Sequence, residues 1–205
     1  MTSLSKSEVT PQKLPRHWID ATVFGAMWGG LEITLGAMMH MMRIPFAGVW
    51  FAAAATVLLM AGHRVLPQHG FFVRAGMICM ILKTMSAGGS IVWVMIAIAI
   101  EASILEVLIG GSRAGKIRSA IAGSLVTLSV LFQLLLFTLI VYGFDMLRLY
   151  TALLRRATMW MGISESWGWG AISLLVLAIA LIGAAAGVYG TMLGNAVARR
   201  RRVAV

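Results

Sequence analysis

Five polar side chains stand within stretches of this 205-residue chain that are otherwise apolar enough to enter a bilayer: Glu32, His40, Lys83, Glu101 and Gln133. A charge at mid-membrane is costly, so ionisable residues at that depth usually face a protein interior or a water-filled cavity. We therefore predict a pocket in which Glu32, His40, Lys83 and Glu101 bind a small polar solute, and we interpret Gln133 as structural. The alternative for both carboxylates is an ion pair with Lys83, or a bond to a neighbouring helix, that only specifies packing.

The residues around Glu32 repeat with a helical spacing. Gly25, Gly29, Glu32, Gly36 and His40 follow one another at intervals of four, three, four and four, so they share one helix face. Glycines on such a face let another backbone approach closely. The pattern predicts a helix that turns this face towards other helices around a polar site.

The segment MMHMMR at 38–43 offers a second chemistry, because thioether and imidazole groups suit Cu(I). Its four methionines flank one histidine and point in all directions around a helix, so at most two of them can share a metal with His40. Methionine is also a common filler of irregular apolar gaps. We predict no metal site, and the alternative is a soft-metal permease that uses Met39, His40 and Met42.

Motifs of catalysis are missing from the sequence. It contains no HExxH, no CxxC, no GxSxG and no Walker A lysine in a glycine-rich loop. The single cysteine, Cys79, lies in an apolar run and is interpreted as core packing. The sequence predicts that the chain is not an enzyme and needs no cofactor. Energy for any transport would come from a partner or an ion gradient.

Composition places the chain in a membrane. Hydrophobic residues make up 60% and charged residues only 12%, which a soluble domain cannot keep out of water. The formal net charge of +10 suggests nucleic acid at first, but the basic residues flank apolar stretches and do not form a patch interleaved with aromatic residues. We predict no nucleic-acid partner. The run Arg199-Arg200-Arg201-Arg202 directly follows a long apolar stretch and is predicted to contact anionic lipid headgroups.

The predicted fold is all-α, a polytopic membrane protein with six transmembrane helices in one bundle. The spans fall at about 19–42, 44–62, 71–86, 90–110, 117–143 and 169–197. With the N-terminus inside, twelve of the 17 basic residues lie on the cytoplasmic side and five on the outer side, which favours N-in and C-in. Residues 1–17 would be a cytoplasmic tail, 18–198 the bundle and 199–205 a basic cytoplasmic tail.

An amphipathic segment separates the last two spans. Along 145–162 the apolar residues fall on one side, and arginines lie mostly elsewhere. The pattern predicts a helix at the outer membrane interface, with a lid over the bundle mouth as the alternative.

Two stretches resemble the substrate-binding S components of energy-coupling factor (ECF) vitamin transporters: GAMWGGLEITLGAMMHMMRIPFAG, and LKTMSAGGSIVWVMIAIAIEASILEVLIG. The resemblance covers about 18–197 and is one of pattern and size. It implies a six-helix protein of the bacterial cytoplasmic (inner) membrane that binds a vitamin or other micronutrient near the outer surface. It also implies delivery by docking to a transmembrane coupling subunit that sits on two ABC-type ATPases.

The resemblance assigns the docking surface to small residues of the first helix. Here Gly25, Ala26, Gly29 and Gly30 fill that position. A rival interpretation from another class is an accessory or scaffold subunit of a larger complex, without a small-molecule pocket. In that case Glu32 and Glu101 would pair with charges on a partner helix.

Overall fold

The computed structural model describes residues 15–42, 46–85, 91–111, 114–145, 148, 151–152, 159 and 165–203. Within these residues the chain is helical and contains no strand. Six helices follow one another: α1 (Arg16–Met41), α2 (Ala47–Val65), α3 (Phe71–Thr84), α4 (Ile91–Ile109), α5 (Lys116–Tyr142) and α6 (Glu165–Val203). The all-helical prediction is confirmed, and each helix lies at a predicted apolar stretch.

Four of the six helices are long and apolar enough to cross a membrane: those containing Ala47–Val65, Val92–Ile109, Lys116–Tyr142 and Gly168–Arg200. The helix α3 has 14 residues and is about 21 Å long at 1.5 Å per residue, which is short against a hydrocarbon core of about 30 Å. The helix α1 has 26 residues but carries Asp20 and Glu32.

The helices α1, α3, α4, α5 and α2 form a ring in that order, which closes where α2 contacts both α5 and α1. The contacts between α5 and α6 are the most extensive. The first five helices therefore surround a common interior, and α6 packs outside it against α2 and α5.

Glycines set the closest helix contacts. A Cβ placed on Gly25 would lie 2.8 Å from Cβ of Ile78, and one on Gly29 would lie 2.9 Å from Cδ1 of Leu82, so both glycines face α3. On α6, Gly183 lies against the backbone of Gly123 in α5. Only a residue without a side chain permits such backbone approach.

Large side chains fill one half of the ring, which we call the closed end; it contains the start of α1 and the segment 66–70 that joins α2 to α3. Its fully buried residues include Trp28, Leu59, Met60, Phe71, Phe72 and Leu105. Cys79 is also part of this core, which agrees with its interpretation as core packing. The opposite half, the open end, contains the last turns of α1, α3 and α5.

The last helix differs from prediction at its end. α6 has 39 residues, about 58 Å, and continues through Arg199–Arg202 to Val203. The sequence predicted a basic tail from residue 199. Arginine is a good helix former, and positive charge at a helix C-terminus is favourable, so nothing ends the helix before the arginines. Most of the predicted tail at 1–17 and most of the predicted interfacial helix at 145–162 lie outside the described residues, and α1 already begins at Arg16.

Candidate binding cavity

A cavity of about 290 Å³ lies inside the ring, towards the open end. Five helices, α1 to α5, contribute to its wall. The lining residues are Glu32, Gly36, Gly48, Phe51, Lys83, Trp93, Val94, Ala97, Ile98, Glu101, Val130, Gln133, Leu134 and Phe137. Most of the wall is apolar, and a few polar groups converge in it, which is the usual composition of a small-molecule site.

Glu32 and Lys83 form an ion pair across the α1–α3 contact. Lys83 Nζ lies 3.7 Å from Glu32 Oε2, and it also donates a hydrogen bond of 3.4 Å to the backbone carbonyl of Glu32. The side chains are 15% and 13% exposed, so water screens the pair little. The pair can exist because Gly29, one turn before Glu32, brings α3 against α1.

Glu101 enters the cavity from α4 and is 6% exposed. Among the residues that the structure describes, no cationic side chain lies within ion-pair distance of it. The other carboxyl group of the cavity wall is that of Glu32. The wall therefore contains two carboxyl groups and one ammonium group.

Gln133 reaches the same wall from α5. Its Nε2 donates to the hydroxyl of Ser129, one turn earlier on the same helix, at 3.5 Å. The sequence alone favoured a structural role for Gln133, but its place in the cavity wall makes it available to a ligand as well.

The sequence analysis did not identify the aromatic residues of the cavity. Phe51, Trp93 and Phe137 line it, and the rings of Trp93 and Phe137 meet edge to face, with centroids 5.2 Å apart and planes at 76°. Aromatic residues are frequent in membrane helices, so their presence in a sequence does not mark a site. Only the packing of α4 against α5 distinguishes them.

The structure describes the methionine–histidine segment only in part. His40 is in the last turns of α1, but its side chain lies outside the described part of the structure, and Met42 follows the helix with 62% of its surface exposed. Within the described ranges, no group of three His, Cys, Asp or Glu side chains can hold a metal ion. The predicted contact of His40 with the pocket remains a prediction.

Glu106 fixes the start of α3. Its carboxylate accepts hydrogen bonds from the backbone N–H groups of Gly70 at 2.6 Å and Phe72 at 3.1 Å, and it lies 3.4 Å from Nδ1 of His69. A carboxylate at a helix N-terminus satisfies unpaired N–H groups and complements the helix dipole, so Glu106 caps α3.

The four small residues predicted for docking point in two directions. Gly25 and Gly29 are buried against α3. Ala26 is exposed on the outer surface of α1, and Gly30 has no atom within 4 Å of the place where a Cβ would be. A partner helix can therefore approach α1 at Ala26 and Gly30, whereas the other two glycines are covered within the chain.

Comparison of the chain with protein-family models, with curated proteins and with solved structures gives no match. The function is therefore argued from the cavity and from the chemistry of the residues that line it.

Proposed function

We propose that the chain is a non-enzymatic, membrane-embedded binding subunit of an importer of the ECF type, which captures a small micronutrient and passes it to a partner. The observation that carries the proposal is the cavity that gathers Glu32, Lys83, Glu101 and Gln133. Ionisable groups at that depth in a membrane protein are usually functional, because packing alone is better served by apolar side chains.

The proposed orientation follows from charge. Six spans with both termini inside place the closed end, with its short connection at 66–70, on the cytoplasmic side of a bacterial inner membrane. The cavity then lies in the outer half of the bundle, where a solute from outside would enter. The long α6 would carry its arginines into the region of anionic headgroups.

The proposed partner is a transmembrane coupling subunit bound to ABC-type ATPases. Its docking site would be the outer surface of α1 around Ala26 and Gly30, where the half-exposed Val23 and Met27 adjoin the small residues. Small residues in an apolar stripe allow a second helix to pack closely within a membrane.

The import activity is testable without knowledge of the solute. Cells that carry the chain and cells from which its gene is deleted are grown in the same rich medium, and small molecules left in the medium are compared by mass spectrometry. We expect one compound to be depleted only when the chain is present. Complementation with Ala97→Phe, which fills the cavity, should not restore depletion, whereas Ala185→Phe on the exposed surface of α6 should restore it.

The docking surface has its own test in the same cells. Gly30→Leu adds a side chain where the structure has open space, so the variant should fold but lose depletion of the compound. If Gly30→Leu imports normally, docking at this surface is wrong. If no compound is depleted by the unmodified chain, the interpretation as an accessory subunit without a pocket is favoured instead.

A further inference from the structure

The cavity wall contains two carboxyl groups, those of Glu32 and Glu101, but only one ammonium group, that of Lys83. Lys83 is engaged by Glu32 at 3.7 Å, whereas Glu101, only 6% exposed, has no cationic partner among the described residues. A buried carboxyl group without a partner destabilises a fold. Proteins tolerate such groups at sites where a ligand completes the interaction.

Aromatic rings stand beside this carboxyl group in the same wall. Phe51, Trp93 and Phe137 line the cavity together with Glu101. The face of an aromatic ring attracts cations, most strongly when water is excluded, and it also stacks with flat rings of a ligand. Gly36 and Gly48 add no side chain to the wall, and a Cβ on Gly48 would lie 2.9 Å from Cγ1 of Val130, so this glycine lets α2 approach α5.

We propose that the cavity takes a singly charged organic cation whose charge lies on or beside a flat ring, with N–H groups directed at the Glu101 carboxylate. This inference rests on the proposed function, because it names the chemical class of the captured solute. The volume of about 290 Å³ is near the lower limit for small-molecule sites, so the cation is monocyclic or a small bicyclic compound. An inorganic cation is disfavoured, since no group of three metal-ligating side chains of His, Cys, Asp or Glu occurs within the described residues.

Three probes of nearly equal shape test the charge directly: benzamidinium, benzamide and benzoate. Each is titrated calorimetrically into the purified chain in lipid nanodiscs. We expect benzamidinium to bind at least about 10-fold more tightly than benzamide, because an amidinium can donate two parallel N–H bonds to a carboxylate. Benzoate should bind most weakly. If benzamide or benzoate binds as tightly as benzamidinium, or if none of the three binds, the cation proposal is overturned.

A substitution at Glu101 tests whether this residue causes the preference for a cationic probe. Glu101→Gln keeps the shape of the side chain and removes its charge, so benzamidinium should lose about 10-fold or more in affinity. Benzamide should bind within about twofold of the wild-type value, which also shows that the cavity is intact. Asp145→Asn, at a carboxylate 94% exposed, is the matched control and should change nothing. An unchanged preference in Glu101→Gln overturns the assignment, and the three-probe comparison on the wild-type chain stands even if this variant does not fold.

A cavity-filling variant separates failure of this inference from failure of the proposed function. If benzamide or benzoate is preferred and Ala97→Phe abolishes its binding, the cation is wrong but the cavity still binds solutes. If the probes bind equally well to the wild-type chain and to Ala97→Phe, the cavity is not the binding site, and both proposals fail.

Discussion

At the scale of single residues, three side chains from three helices determine the chemistry of the cavity. Glu32 from α1 and Lys83 from α3 form an ion pair, whereas Glu101 from α4 has no cationic partner among the described residues. Because both partners of the pair are largely shielded from water, removal of one leaves the other uncompensated. The pair therefore adds no net charge to the wall, and on the proposed function the preference for a ligand would depend on Glu101.

Lys83→Met removes the ammonium group and keeps the length of the side chain. We expect the variant to lose roughly 2–4 kcal/mol of stability, because Glu32 then remains buried without a counter-charge. The thermal midpoint of the purified protein in detergent measures the effect. The double variant Glu32→Gln/Lys83→Met should recover most of the loss, since neither charge is then unpaired.

The exposed pair of Asp145 and Arg148 provides the control for this prediction. Its atoms lie 3.9 Å apart, and both side chains are more than four-fifths exposed. Arg148→Met should leave the midpoint unchanged, since surface ion pairs contribute little. A double variant at the cavity that is no more stable than Lys83→Met alone would contradict the pairing.

The residue types in the sequence were enough to predict the ionisable residues of the cavity, but they were not enough to predict its aromatic residues. Glu32, Lys83 and Glu101 could be identified because ionisable groups are rare in apolar stretches and must converge to be tolerated. Trp93 and Phe137 could not, because an aromatic residue in such a stretch serves equally well as core or as lipid contact. The hydrogen bonds of Glu106 to the start of α3 could not be predicted either, since backbone N–H groups do not appear in a sequence pattern.

At the scale of elements, the short helix α3 holds the site together. It brings Lys83 to α1 through the glycine contacts of Gly25 and Gly29, and its first turn is fixed by Glu106 from α4. Gly70, which precedes α3, has a φ of 76°, a conformation that glycine adopts without strain. Position and orientation of α3 thus depend on a side chain that does not line the cavity and that follows the cavity residue Glu101 by five positions on α4.

Glu106→Ala tests this dependence. We expect a loss of about 1–2 kcal/mol, because two N–H groups at the start of α3 lose their acceptor. Hydrogen exchange of the backbone in the first turn of α3 should become faster. Ser103→Ala on the same helix is the control: its hydroxyl bonds only to the carbonyl of Ala99, one turn earlier, so α3 should exchange as in the wild-type protein. Equal exchange rates in both variants would argue against the cap.

The helix positions themselves could be predicted closely from apolar stretches between basic and glycine-rich breaks. The end of α6 could not be predicted in this way. The apolar stretch ends at residue 198, but the helix continues through Arg199–Arg202. Likewise, the spacing of Gly25 and Gly29 predicted a helix contact, but spacing cannot tell whether the partner is α3 or another protein.

At the scale of the whole molecule, packing is uneven along the bundle. The closed end is filled by Trp28, Phe71 and Phe72, and the cavity lies beyond them. A filled end opposite a cavity is the arrangement expected of a binder that accepts solute from one side of a membrane. The proposed N-in and C-in orientation identifies the filled end as cytoplasmic.

Single cysteines on a Cys79→Ser background test this orientation in intact cells. With a membrane-impermeant maleimide, Phe144→Cys should be labelled, because it follows α5 at the open end. Gln68→Cys, in the connection between α2 and α3, should be labelled only after the membrane is permeabilised. Labelling of Gln68→Cys alone in intact cells would reverse the orientation.

The most direct test of the central claim is native mass spectrometry of the chain extracted gently from its own host membrane. We expect a bound small molecule in about one-to-one ratio in the wild-type chain and in Ala185→Phe, and its absence in Ala97→Phe. The exact mass would also show whether the compound is an organic cation. A wild-type chain that is free of ligand, or a bound compound that Ala97→Phe retains, would contradict the claim that this cavity binds the solute.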